Sequence, residues 1–322
     1  MLKFLVTGSS GFIGNALFSR LSERGHIVKG TTRGIEKLSI KKLDNFFFKC
    51  NIDNKTDWSK ILVDIDYVIH CAGQNTDISF FKNINLKNYR KVNVEGTRNL
   101  AYQAAKAGVK RIVFLSSVKV FGENSKNSFL FRHNSEICCT DPYGISKLEA
   151  EIELLKVSKK TGLEVTIIRP AIVYGEGVKG NFKKLMRCIE KGIPLPFGLV
   201  KNKRSFIGLD NLLDLIITST NHPKAAGQIL LATDDCDLST LELVSKITVA
   251  MNRPIKIFSL NPSLIRFFAN LIGKSSDINR LINSLQIDIS HTKKLLNWVP
   301  PYNTDEGIKK MVDDFKLQCF ND

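Results

Sequence analysis

Short apolar runs rich in β-forming residues recur along the first half of the chain: LKFLVT, HIVKGTT, FFFKCNI, DYVIHCA, RIVFLSS and EVTIIRP. The longer stretches between them read as helices. NYRKVNVEGTRNLAYQAAKAG and SKLEAEIELLKVSKKTG carry apolar residues at helical spacing, and each ends on a glycine suited to a helix C-terminus. Alternation of this kind predicts a parallel sheet covered by helices on both faces, an α/β fold. Past about residue 172 the pattern loosens into GEGVKGNFKKLM, IPLPFGLVKNKRSFI and several short helical stretches. The expected organisation is a doubly wound parallel sheet over residues 1–172, rejoined by some later segments, with a smaller C-terminal α/β lobe drawn mainly from residues 173–322.

The 322 residues suffice for two domains, or for one large domain and a lesser lobe. Apolar stretches such as LLDLII and IRFFANLI fall well short of the ~18–20 residues of a membrane-spanning helix, so no membrane span is expected. MLKFLV is too short for the core of a signal peptide and runs at once into glycine and serine, which points to a cytoplasmic protein. The seven cysteines are scattered, with no CxxC pair and no clustered histidines; they read as reduced packing residues, with neither a disulfide framework nor a metal site. A net charge of +16 suits nucleic acid, a membrane surface or a polyanionic small molecule. The lysines, however, are spread along the chain without a basic block or the interleaved aromatics of a single-strand binder. They read as a solvated surface, and no nucleic-acid partner is expected.

Chemistry enters with TGSSGFIG, where Gly8, Gly11 and Gly14 follow the first strand and open a helix. That context suits a dinucleotide: Gly8 for the tight turn, Gly11 for backbone approach to a pyrophosphate, Gly14 for helix packing against the strand. Ser10 and the first helical residues Phe12 and Ile13 complete the loop, with phosphates placed at the helix N-terminus. A purely structural turn would need the same glycines. The second strand of such folds commonly ends in an acid that holds the ribose hydroxyls. Here HIVKGTTRG offers Thr31, Thr32 and Arg33. A guanidinium with no carboxylate nearby favours NADP(H) over NAD, unless Arg33 stacks on the adenine or faces solvent.

The run RIVFLSSVKVFG ends its strand in Ser116 and Ser117, and DPYGISKLEAE follows with Tyr143 and Lys147 four apart, on one helical face. An ammonium beside a phenol favours the phenolate, so the tyrosine can exchange a proton near neutrality. Ser117 would hydrogen-bond the same substrate oxygen. Together the three suit a carbinol or carbonyl whose hydride is handled by a nicotinamide.

These residues resemble the extended short-chain dehydrogenase/reductases that act on nucleotide sugars, over nearly the whole chain. The resemblance implies a Rossmann-type sheet, an NADP or NAD cofactor, and Ser117, Tyr143 and Lys147 as the catalytic set. It implies Asn51 and Ile52 of NIDN near the adenine, and Cys71, Ala72 and Gly73 of VIHCAG beside the cofactor. Asn93 of VNVEGT, Ser116 of SSVKVFG and Pro170 of RPAIVYGEG complete that half. In the substrate lobe it implies Asn181 near the sugar nucleotide, Pro196 and Phe197 beside uracil, and Arg204 on the diphosphate. Lys119 is placed near the sugar or in solvent, and Arg280 either on the diphosphate or at the surface. DISHTKKLLNWVP looks like the family's C-terminal helix signature, with Ser290 a cap and Trp298 a packing residue. Proteins of this kind pair as homodimers through two helices near residues 83–107 and 143–160.

The family runs several reactions on one triad. A 4,6-dehydratase would carry Thr-Asp-Glu where Ser117, Val118 and Lys119 stand, so dehydration is set aside. SSVKV, KRSFIGLDN and INSLQIDIS resemble the branch of bacterial surface-polysaccharide synthesis, O-antigen or capsule, with products of the UDP-N-acetylquinovosamine type. The first expectation is reduction at C4 of a UDP-4-keto-6-deoxy-N-acetylhexosamine. C4 epimerisation of a UDP-hexose or UDP-N-acetylhexosamine with bound NAD is the alternative, and a non-catalytic NADP-binding sensor or scaffold is a third.

Overall fold

The computed structural model describes residues 1–34, 46–75, 85–125, 129–271, 273 and 275–321. Twelve strands are found among them: β1 (Lys3–Thr7), β2 (Ile27–Thr32), β3 (Phe47–Lys49), β4 (Tyr67–His70), β5 (Arg111–Leu115), β6 (Leu130–Phe131), β7 (Glu164–Pro170), β8 (Ile172–Tyr174), β9 (Arg204–Gly208), β10 (Ile229–Ala232), β11 (Asp237–Leu238) and β12 (Gln286–Ile287). The six apolar runs become β1 to β5 and β7, which with β10 form one parallel sheet in the order β10-β7-β5-β4-β1-β2-β3. Order reverses beside β1, where ligands of such sheets bind at the carboxyl ends of the strands.

Alternation along β1 shows how the sheet is buried on both faces. Phe4 and Val6 join a core with Leu17, Phe18 and Leu21, whereas Leu5 joins an opposite core with Trp58, Leu100 and Leu154. The first core uses α1 (Phe12–Glu23). The second uses α3 (Thr97–Lys106) and α4 (Pro142–Thr161), preceded by the single turn α2 (Leu86–Tyr89). Gly108 and Gly162 follow α3 and α4 at φ +78° and +79°, the left-handed conformation expected of those glycines.

A third core lies in the later part of the chain, built on β8, β9 and β11 with α5 (Asn181–Glu190), α7 (Thr240–Ala250) and α11 (Thr304–Asn321). Two further helices, α8 (Pro262–Leu271) and α9 (Ser275–Ile282), add Ile265 and Ile282 to it. By contrast α6 (Leu209–Asn221), β10 and α10 (Ser290–Leu296) pack into the first core, so these late segments return to the main sheet. Phe12, at the start of α1, packs against both the first and third cores. No helix among the described residues is long and apolar enough to cross a membrane.

Two local expectations are corrected. The stretch NYRKVNVEGTRN is not one continuous α-helix: Arg90–Gly96 opens into a π-helical segment between α2 and α3. Ser290 is the first residue of α10 and the cap position is Ile289; the Ser290 hydroxyl donates instead to Asp288. Trp298 is indeed a packing residue, buried in the first core, with its Nε1 donating to Asp214 at 2.9 Å. Of the cysteines, Cys138, Cys236 and Cys319 are exposed, so packing accounts only for part of the set.

Candidate functional site

The glycine loop is compressed as a dinucleotide loop must be. Gly8 has φ +69°, and a Cβ there would lie 2.8 Å from the Ala72 backbone; one on Gly14 would lie 2.3 Å from the Gly8 carbonyl. Helix α1 starts after Gly11 with no side chain capping it, which leaves its first N–H groups to an anion. The residues therefore fit a bound dinucleotide: the cradle has backbone where any larger residue would intrude. Ser10 accepts a hydrogen bond from Thr32 at 2.9 Å, so the end of β2 is tied to the loop by hydroxyls where other chains carry an acid. Thr31 and Thr32 are buried and Arg33 is exposed beside them. Ile52 packs on Gly96, where a Cβ would meet it at 2.7 Å, and Asn51 is exposed.

Strands β4 and β5 end at the same level as the loop and deliver VIHCAG and the two serines. His70 lies between Thr7 (2.6 Å) and Thr97 (2.8 Å), and burial pulls its pKa down to about 3, so it is a neutral tie. Burial likewise pushes the Cys71 thiol up to about 12, which removes it as a nucleophile at neutral pH. Asn93, within the π-helical segment, accepts from the Gln74 N–H at 2.7 Å and donates to Ser146 at 2.9 Å. The widened turn thus joins the strip after β4 to α4; π-bulges often serve functional sites in this way.

Helix α4 begins where the sequence suggested chemistry. Asp141 caps it, accepting from the Gly144 N–H at 3.1 Å, and Pro142 takes the first helical position. Tyr143 is half-buried in the first turn, and Lys147 is buried one turn on. The Lys147 ammonium lies 4.2 Å from the Phe114 ring centre, and a Cβ on Gly73 would be 3.6 Å from it. Burial lowers its pKa to about 8, against the attraction of Glu151 and Cys71, so it remains predominantly charged at neutral pH. Ser117, half-buried at the end of β5, accepts from the Lys119 N–H at 3.2 Å.

Beneath this set lies a pair that sequence reading did not single out. Glu151, a turn beyond Lys147, receives Arg169 Nε at 3.0 Å and Nη2 at 2.6 Å, with side chains only 2% and 3% exposed. The Ser116 hydroxyl, itself buried, also donates to Glu151. The only sequence signal was the spacing of Glu151 from Lys147.

Beside the Asp141 cap of α4 opens a cleft of about 470 Å³ lined by Gly122, Glu123, Cys138, Thr140, Asp141 and Arg280 among others. The Lys119 ammonium lies 5.6 Å from the Tyr143 ring centre, between Glu123 (3.2 Å) and Asp141 (3.5 Å). Arg280 Nη2 reaches the same Glu123 oxygen at 3.0 Å. Burial alone would raise Glu123, but Arg280 and Lys119 outweigh it and hold the carboxyl below its ordinary value. Arg204 is 5% exposed and donates from Nη1 to the Asn283 carbonyl at 2.9 Å, while its buried Nε has no protein partner. Burial lowers its pKa to about 10, with Glu123 opposing and Arg280 adding to that effect. The structure therefore gathers Lys119, Arg204 and Arg280 around one carboxylate, Glu123, an arrangement suited to an anion.

The other expected residues lie apart from this group. Asn181 is exposed at the start of α5, Phe197 is buried in the third core beside half-buried Pro196, and Pro170 ends β7 in register with Ala232. Among the described residues no group of three or more His, Cys, Asp or Glu side chains could hold a metal ion.

Comparison with known proteins places the chain in a family. A family model described as the NAD dependent epimerase/dehydratase family matches residues 4–231. A UDP-glucose 4-epimerase of Vibrio cholerae is 42% identical over 320 residues, covering 98% of this chain and 96% of that protein. An N-acetyl-α-D-glucosaminyl-diphospho-ditrans,octacis-undecaprenol 4-epimerase of Escherichia coli O157:H7 is 26% identical, covering 96% and 93%. In fold, the chain is similar to a Bacillus cereus UDP-glucuronic acid 4-epimerase in complex with UDP-glucuronic acid and NAD, with a TM-score of 0.80 at 23% identity, covering 98% and 100%. From the glycine cradle, the Ser117, Tyr143 and Lys147 set and these matches together, the chain belongs to the NAD-dependent epimerase/dehydratase family, as an enzyme on the Rossmann-type α/β fold of the extended short-chain dehydrogenase/reductases.

Proposed function

We propose that this enzyme is a UDP-sugar 4-epimerase that works with a retained NAD. The observation that carries the reading is the presence of Tyr143 and buried Lys147 on successive turns of α4, with the Lys119 ammonium 5.6 Å from the Tyr143 ring centre and paired to Glu123, which lines a cleft with Asp141 and Arg280. When bound, the dinucleotide supplies a hydride acceptor and donor. Tyr143 takes the proton from the sugar C4 hydroxyl and returns it once the hydride has come back to the opposite face. Ser117 hydrogen-bonds the same oxygen and keeps it aimed at the phenol. Lys147, charged and desolvated, favours the phenolate. Arg204 and Arg280 hold the diphosphate, so the hexose can turn over within the cleft while its nucleotide stays fixed. The similarity to the Vibrio cholerae UDP-glucose 4-epimerase supports epimerisation over the C4 reduction first expected.

The hydroxyl-lined end of β2 and exposed Arg33 favour a second reading, an NADP(H)-dependent C4 reductase, because among the described residues no acid follows β2 there to repel a ribose phosphate. The exposed Tyr102, Ile152 and Leu155 on α3 and α4 support pairing of two copies through those helices. The functional test is incubation of purified enzyme with UDP-glucose and with UDP-N-acetylglucosamine, without added cofactor. Formation of the C4 epimer is the expected result; turnover only of a 4-keto sugar with stoichiometric NADPH would assign the reductase.

A further inference from the structure

Helix α8 presents an apolar face to the outside. Its sequence PSLIRFFANL buries only Ile265 and Ala269. Leu264, Phe267, Phe268 and Leu271 leave 47%, 56%, 55% and 68% of their surface exposed, and their spacing lays them along one side of the helix. The two phenyl rings meet edge-on, 5.6 Å apart. Leading into the helix, Ile255 and Phe258 are also exposed; exposed Leu199 joins them, because the Gly198 N–H donates to the Phe258 carbonyl at 3.1 Å. Exposed apolar residues scattered singly need no explanation, but a stripe of four on one helix face marks a binding surface.

Its surroundings indicate what binds. Residues 191–201 and 251–271 contain no Asp or Glu, whereas Lys191, Lys201, Arg253 and Lys256 are all exposed, with the Lys256 ammonium close to Gly192. A second copy meeting this face about a two-fold axis would bring those cations against their own equivalents. An anionic lipid surface complements both features, taking the apolar side chains at the boundary of headgroups and acyl chains and the cations on its phosphates. We propose that α8, with residues 255–258 and Leu199, is a peripheral docking face for anionic bilayers. Helix α8 leads into α9, which carries Arg280 of the cleft, so the seated helix and the cleft wall belong to one stretch of chain.

The test is co-sedimentation with vesicles of equal parts phosphatidylglycerol and phosphatidylcholine, against vesicles of phosphatidylcholine alone, at low and raised salt. The wild type is expected to pellet with the anionic vesicles and to be released by salt. The double variant F267S/F268S should partition about tenfold less, with its turnover of soluble UDP-sugar and its urea midpoint unchanged. Failure of the wild type to bind anionic vesicles, or equal binding by the double variant, would overturn the proposal. Conversion of a dimer to a monomer by F267S/F268S in sedimentation velocity would assign the face to a second copy instead.

Discussion

Replacing Lys147 by Met should abolish turnover and at the same time stabilise the fold. The ammonium is buried at 3% exposure, and burial carries its pKa from 10.5 down to about 8 despite the nearby carboxylate of Glu151. That drop corresponds to about 3 kcal/mol of native-state destabilisation while the amine is charged in both states. Methionine has similar reach, can keep contact with Phe114 through its sulfur, and leaves Glu151 with its own partner Arg169. The pH dependence follows from the direction of the shift. Below pH 8 folded and unfolded chains both hold the proton, and the wild type carries the whole cost. Between about 8 and 10.5 the unfolded chain binds the proton that the folded chain has lost, so wild-type stability rises relative to the variant and the gap closes. Urea unfolding of both proteins, stripped of cofactor so that ligand binding adds nothing, measures the gap across this range. K147M is expected to be more stable by about 3 kcal/mol at neutral pH and to lose that advantage toward pH 10.5. A variant less stable than wild type at neutral pH would refute the reasoning, because it would mean that attraction to the surroundings outweighs desolvation.

Three further outcomes are expected. Arg169→Met strands the buried Glu151 carboxylate and should lower stability by about 3–5 kcal/mol in urea unfolding, whereas replacing the exposed Arg90–Glu149 ion pair should leave the urea midpoint nearly unmoved. Glu123→Gln frees Lys119 and Arg280 of their shared counter-charge and should tighten UDP binding about three- to tenfold by calorimetry; weaker binding would show that Glu123 itself contacts the ligand. Tyr143→Phe should reduce epimerisation about 10²- to 10⁴-fold while the dissociation constant for UDP stays within a factor of two or so.

The sheet was legible because its strands are buried on both faces and appear as unbroken apolar runs, as in RIVFL, where all five residues are buried. The two long helices were legible at their C-termini, where Gly108 and Gly162 need a left-handed backbone, and less so at their beginnings. Helix α4 starts at Pro142 under the Asp141 cap, and Tyr143 and Lys147 stand on its opening turns, as their spacing predicts. The π-helical segment carried no signal, since its wider turn is held by tertiary contacts: Ile52 against Gly96, and Asn93 to Gln74 and Ser146. The Glu151–Arg169 pair left only the spacing of Glu151 from Lys147 as a sign, for a related reason. A charge on a helix is ordinarily solvated, and only the meeting of α4 with β7 shows that both members are buried. For Ser116 and Phe197, motif position gave no direction for the side chain; one turns to Glu151 and the other into the third core.

The central claim is tested most directly by following the hydrogen at C4. Enzyme carrying its own cofactor is incubated with UDP-glucose, or UDP-N-acetylglucosamine, deuterated at that carbon, and the epimeric product is examined by mass spectrometry and NMR. Epimerisation with a retained dinucleotide predicts that deuterium stays at C4 of the product, undiluted by free NADH or NADPH added to the mixture. Deuterium recovered on the free dinucleotide pool, or conversion only of a 4-keto sugar in step with NADPH oxidation, would contradict it.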